Sequence, residues 1–207
     1  MNLWSVEEGA NQCANGAVVL YPTETLWGVG GDARNPEVAA QVLAAKGIDS
    51  PRPFPVLCDS VERALNVVDG ELPGLRELAG RFWPGGLTLV VPVLDRRLAD
   101  VAGLDGRVGL RVSAVESATL LAKGVDGFLL STSANLTGSP PPHAFHEIDL
   151  RVKERVDGAV DTQRVAQGEP STLLSFENGV WCCLRPGAVS RGELVAILGE
   201  GGPHGLR

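Results

Sequence analysis

Short apolar runs alternate along the chain with stretches whose apolar residues recur at helical spacing. Residues 5–15 form the first periodic stretch. Ser5 with Glu8 makes a capping box, and Gly16 closes the helix. AVVLY (17–21) reads as a short strand. Asn35-Pro36 supplies a cap and a first-turn proline for a helix through EVAAQVLAAK to Gly47. FPVLC (54–58) reads as a strand, with Pro55 suited to an edge or a bulge. Short helices follow near 60–67 and 73–82, then strands LTLVVPV (87–93) and VGLRV (108–112). Ser113 and Glu116 are expected to cap another helix, and GFLLST (127–132) is the next strand. TLLSF (172–176) and VWCCLR (180–185) flank Glu177-Asn178-Gly179, where Asn-Gly predicts a hairpin. Ser190 and Glu193 cap a last helix to about Leu198, and the tail 199–207 is expected to fray.

Strands alternating with helices, plus a hairpin, predict an α/β fold. We expect a twisted sheet of mixed parallel and antiparallel strands flanked by helices. No repeat or long linker divides the chain, so residues 1–207 read as a single domain. The longest loops are expected at 31–35, 47–53, 93–107 and 135–145.

Composition narrows the class. Of 207 residues, 44% are hydrophobic and 21% charged, ordinary globular usage. The first residues, MNLWSVEEGANQ, have neither a basic nor an apolar signal region, and no apolar run nears the roughly 18 residues of a membrane helix. A cytoplasmic protein with no membrane partner is expected. Cys13, Cys58, Cys182 and Cys183 form no CxxC pair and read as reduced, mostly buried thiols. His143, His146 and His204 read as loop histidines, so no protein metal site is expected. The net charge of −7 removes the usual prompt for nucleic acid, so a phosphate site would need a local cluster of cations.

Such clusters sit at strand and helix exits. YPTETLWG (21–28) offers the Thr23 and Thr25 hydroxyls before Gly28, Gly30 and Gly31, although a simple turn would explain it alone. AKGIDSPRP (45–53) carries Lys46 and Arg52, and a lysine at a helix C-terminus also suits the dipole. Arg107 and Arg111 lie in an apolar strand, costly unless paired or turned toward an anion. STSANLTGSPPP (131–142), EPSTLLSF (169–176) and LRPGAVS (184–190) add hydroxyls and Arg185. Together they would bind a polyanion beside a small polar ligand.

The order and wording of these stretches resemble the YrdC-like family of single-domain L-threonylcarbamoyladenylate synthases. The resemblance is carried by YPTETLWGVGGDA (21–33), AAKG with a following RP (44–53) and FWPGGLTLVV (82–91). VGLRV (108–112), STSANLTGSPPP (131–142), PST (170–172) and LRPGA (184–188) complete it. It implies an α/β fold with a concave ligand cavity. It also implies condensation of L-threonine with bicarbonate or CO2 and ATP, with Mg2+, giving threonylcarbamoyl-AMP and pyrophosphate. Downstream tRNA threonylcarbamoyl transferase proteins would pass the group to adenosine 37, and weak RNA binding is a lesser expectation.

By the same resemblance, Lys46 and Arg52 are catalytic and bind ATP with Ser133, Asn135 and Arg185. Thr25, Arg111, Ser131 and Ser171 hold threonine, with Arg111 expected to grip the carboxylate bidentately. The family's Lys-x-Arg is Lys46-Gly47-Ile48 here. The missing arginine is worth roughly 2–4 kcal/mol in the transition state unless Arg52 or Arg107 replaces it, so reduced activity is expected otherwise. Trp27 replaces a Tyr or Phe, and Pro141 stands where longer members carry serine. Two alternatives are a non-catalytic nucleotide- or RNA-binding paralogue and a related carbamoyl-adenylating enzyme. The acidic balance disfavours RNA, and carbamoyl-adenylating relatives carry this domain in far longer chains.

Overall fold

The computed structural model describes residues 1–50, 52–201 and 205–207. Pro51, in the loop expected at 47–53, and the loop reading of His204 lie outside the described residues.

Local signals set most element starts. After strand β1 (Asn2–Trp4), the Ser5 hydroxyl accepts from the Glu8 amide and the Glu8 carboxylate accepts from the Ser5 amide, opening α1 (Val6–Ala14). β2 (Val19–Pro22) and β3 (Trp27–Gly30) pair as a hairpin. Asn35 caps α2 (Pro36–Lys46), and Gly47 ends it at φ 67°, in the left-handed region. There follow β4 (Val56–Cys58), α3 (Val61–Asn66), α4 (Leu75–Phe82), β5 (Leu87–Pro92), β6 (Arg107–Arg111) and α5 (Glu116–Gly124). Next come β7 (Phe128–Leu130), β8 (Thr132–Ser133), α6 (Leu150–Lys153) and β9 (Gly158–Val160). β10 (Thr172–Glu177) and β11 (Val180–Arg185) make the expected hairpin, with Asn178 at φ 51° and Gly179 at φ 84° as an Asn-Gly turn requires. The Ser190–Glu193 capping box opens α7 (Arg191–Leu198).

The α/β class with mixed strands stands, but the strands form two sheets. One has the order β1-β9-β2-β3-β8, the other β11-β10-β5-β6-β4-β7. Each mixes parallel and antiparallel pairs. The expected strand 127–132 is split between them: β7 belongs to the second sheet and β8 to the first. Ser131 is the junction, and its amide donates to the Pro55 carbonyl at 2.9 Å. Close approach of β3 makes this crossing possible. A Cβ on Gly30 would lie 1.6 Å from the Leu130 carbonyl oxygen.

The main core joins Leu20, Trp27 and Val29 to Val42, Leu89, Leu110 and Leu174. A second cluster packs Cys13, Tyr21, Leu57 and Leu129 against Ala118 and Leu121 of α5. Burial pushes the Cys13 and Cys58 thiols up to about 12, so both stay protonated.

Three expectations are corrected. β4 pairs on both sides, so Pro55 marks no edge and lies just before the strand. Ser113 does not cap α5, whose N-cap is Val115 without a side-chain bond; its hydroxyl turns to Glu24 instead. The tail end is docked: Leu206 is buried and bridges Trp181, and the Arg207 amide donates to the Trp181 carbonyl at 2.9 Å. The open edge of β11 and a single apolar side chain supply what a polar tail lacks in pattern.

Candidate active site

A cavity of about 230 Å3 opens where the two sheets meet. β3 and β8 contribute from one sheet, and β4, β5 and β6 from the other. Thr25, Arg111, Ser131, Ser133, Asn135, Ser171 and Arg185 all line it, which brings together most of the residues expected in a site. Lys46 and Arg52 are not in the lining.

The turn between β2 and β3 is built by a threonine. The Thr23 hydroxyl donates to the Leu26 carbonyl at 2.7 Å and accepts from the Thr25 and Leu26 amides, a hydroxyl-closed turn. Its oxygen lies 3.0 Å from the Thr25 hydroxyl, which also accepts from Arg111 Nη2 at 3.0 Å. Arg111 is buried, and its Nη2 pairs with Glu24 at 2.8 Å. The expected bidentate grip on a ligand is therefore largely pre-empted.

Across the cavity, the buried Thr88 and Ser171 hydroxyls are 2.8 Å apart. Arg185 leans onto Ser171, with Nη2 donating to its carbonyl at 2.9 Å and reaching its hydroxyl at 3.2 Å. Burial, with repulsion from Arg111, lowers the Arg185 pKa.

The wall from 131 to 135 is strapped from behind. The Lys46 ammonium donates to the Ser133 carbonyl and, at 2.9 Å, to that of Asn135. Burial, with repulsion from Arg52, lowers its pKa to about 8. Asn135 Nδ2 donates to the Leu136 and Ser139 carbonyls, which fixes Oδ1 as a buried acceptor with no partner among the described residues. A buried acceptor of this kind is completed by a donor on a ligand or a water.

Arg52 is exposed, and no hydrogen bond or ion pair holds it among the described residues. Lys46 and Arg185 are likewise in no ion pair there, their bonds going to carbonyls and a hydroxyl. Arg107 lies elsewhere: it donates to Asp105, to Ser175 at 2.6 Å and to Glu177 at 3.3 Å.

Thr88, Glu24 and the role of Ser113 escaped sequence reasoning. A threonine inside LTLVV was the available signal for Thr88, being the polar position of an apolar strand. Glu24 sits inside YPTET, but nothing local says which way it turns. Among the described residues no group of three or more His, Cys, Asp or Glu side chains could hold a metal ion. No helix among them is long and apolar enough to cross a membrane.

Comparison with known proteins identifies the family. The Sua5/YciO/YrdC family model, described as "Telomere recombination", matches residues 11–187. The chain belongs to the Sua5/YciO/YrdC family. It is 31% identical to the threonylcarbamoyl-AMP synthase of Pyrococcus abyssi over 95% of this chain and 58% of that one. It is 33% identical to a putative threonylcarbamoyl-AMP synthase of Mycobacterium tuberculosis H37Rv, over 89% of this chain and 84% of that one. P. abyssi Sua5 complexed with L-threonine superposes at a TM-score of 0.83 and 29% identity, over 98% of this chain and 58% of that one. E. coli YciO superposes at 0.75 over 89% and 91%, and at 19% identity it shares the fold. The chain spans little more than half the length of the first of these family members.

Proposed function

We propose that the chain condenses L-threonine, bicarbonate or CO2, and ATP into threonylcarbamoyl-AMP and pyrophosphate. The observation that carries this is electrostatic. In a chain of net charge −7, Arg185 on the cavity wall, Lys46 behind it and Arg52 beside Lys46 have no acidic partner among the described residues. Clustered cations without carboxylates suit a polyphosphate. The buried hydroxyls of Thr25, Thr88 and Ser171 beside them suit a small polar amino acid. The names of the relatives point the same way.

The threonine amine, deprotonated, attacks the carbon of CO2 and forms a carbamate. A carbamate oxygen then attacks the α-phosphorus of ATP, and pyrophosphate leaves. Both partners are anionic, so fixed positive charge lowers the barrier. On this reading Lys46 and Arg52 supply charge to the phosphates, with Arg185, Ser133 and Asn135 holding the nucleotide. Thr25, Arg111, Ser131 and Ser171 hold threonine. Mg2+ would arrive on the phosphates of ATP. The product would serve downstream transferase proteins that modify adenosine 37 of tRNA in the cytoplasm, and RNA contact by this chain would be weak.

The test supplies ATP, bicarbonate and one amino acid at a time, and measures product mass and pyrophosphate. Threonine is expected to exceed valine by at least about 100-fold, because a site that bonds a hydroxyl rejects the analogue lacking it. Equal turnover of the two would overturn the reading.

A further inference from the structure

Glu24 does not line the cavity, yet both its carboxylate oxygens are bonded. Oε1 accepts from Arg111 Nη2 at 2.8 Å. Oε2 accepts from the Ser113 hydroxyl at 2.6 Å and from the Ala114 amide at 3.3 Å. Burial favours its neutral form, but Arg111 and the Ser113 hydroxyl outweigh burial and hold the carboxyl below the ordinary range. Glu24 is therefore ionised at neutral pH.

Arg111 is equally committed. Its Nε donates to the Gly85 carbonyl at 3.0 Å, and Nη2 is shared between Glu24 and Thr25. Nη1 alone has no hydrogen-bond partner among the described residues, while the residue itself is buried in the cavity wall. A free guanidinium is a two-nitrogen fork that swings on a flexible stem. This one is pinned and offers one nitrogen. The pin also crosses the molecule: Glu24 stands on the β2–β3 turn of one sheet, and Arg111 ends β6 of the other.

We propose that Glu24 is a positioning residue of the amino-acid site, locking Arg111 so that Nη1 alone meets the substrate carboxylate. The proposal rests on the threonine reading above. It predicts tighter threonine binding with the pin than without it, because the guanidinium loses no freedom when substrate arrives. The competing idea, that Glu24 mimics the substrate carboxylate and must be displaced, predicts the opposite sign.

Calorimetric titration with L-threonine and, separately, with ATP tests it on the full chain. Glu24→Ala is expected to weaken threonine binding about tenfold and Glu24→Gln, which keeps an acceptor for Nη2, about threefold, with ATP binding changed less than about twofold. Ser113→Ala, which leaves Oε2 only the longer Ala114 amide contact, should weaken threonine binding about twofold and serves if Glu24→Ala fails to fold. Unchanged or tighter threonine binding in Glu24→Gln and Ser113→Ala overturns the proposal. So does an equal loss for both ligands, the mark of a merely structural role. Wild-type protein that binds no threonine overturns the threonine reading itself, and the proposal with it.

Discussion

The Lys46 ammonium donates to the Asn135 carbonyl at 2.9 Å from behind the cavity wall, not from within it. It holds the peptide groups of the Ser133–Asn135 segment while keeping its charge close to the cavity. Its folded pKa, about 8, lies below the ordinary lysine value of 10.5. Between those values the unfolded chain keeps the proton and the folded chain sheds it. The cost of burying the charge is thus fully present below about pH 8 and is relieved as pH rises toward 10.5. On the proposed function, charge near the ATP phosphates would be lost over the same range. ATP affinity is expected to fall between pH 7.5 and 9.5 in wild type by about fivefold or more, and to stay flat in Lys46→Arg. Over that range the stability of wild type relative to Lys46→Met should rise. Calorimetry and thermal melts across pH check both, and flat ATP affinity in wild type would take Lys46 out of the phosphate site.

Thr88 supports Ser171 through a hydroxyl contact of 2.8 Å on the buried side of the cavity. Thr88→Val keeps the shape and removes that partner. L-threonine affinity is expected to fall about fivefold, near 1 kcal/mol, with ATP affinity unchanged. Calorimetric titration of the variant measures it, and unaltered threonine binding would argue that this hydroxyl pair does not shape the amino-acid site.

Much of the fold was legible because its signals are local. The Ser5–Glu8 and Ser190–Glu193 capping boxes and the Asn178-Gly179 turn each act within a few residues. What was not legible depends on distant partners. β1 and β9 are three-residue strands without a readable period; β1 exists because it pairs with β9, and β9 because it lies between β1 and β2. The run 127–132 looks like one strand; its division follows from how closely Gly30 lets β3 approach Leu130. In the site, the polar residues at strand exits were readable as a set. The directions of Lys46, Glu24 and Ser113 were not, since each is decided by a carbonyl, a guanidinium or a carboxylate brought from elsewhere.

Ile48 stands where the family pattern carries an arginine, and three side chains bear on the missing charge. Ile48 is buried, with its amide donating to the Leu43 carbonyl at 3.0 Å, so an arginine there must leave its place or carry charge into it. Arg107 is occupied: moving it would abandon Asp105, Ser175 and Glu177. Arg52 is exposed, unpaired among the described residues, and close enough to Lys46 to lower its pKa. On the proposed function, compensation is expected of Arg52. Arg52→Ala is expected to slow single-turnover formation of the threonylcarbamoyl adenylate at least tenfold, about 1.4 kcal/mol of transition-state stabilisation. Ile48→Arg in the wild-type background should raise it by less than about threefold, because the added cation meets a site already supplied. A large gain from Ile48→Arg with little loss from Arg52→Ala would mean that nothing has replaced the arginine, and that the chain is a weakened member of its family.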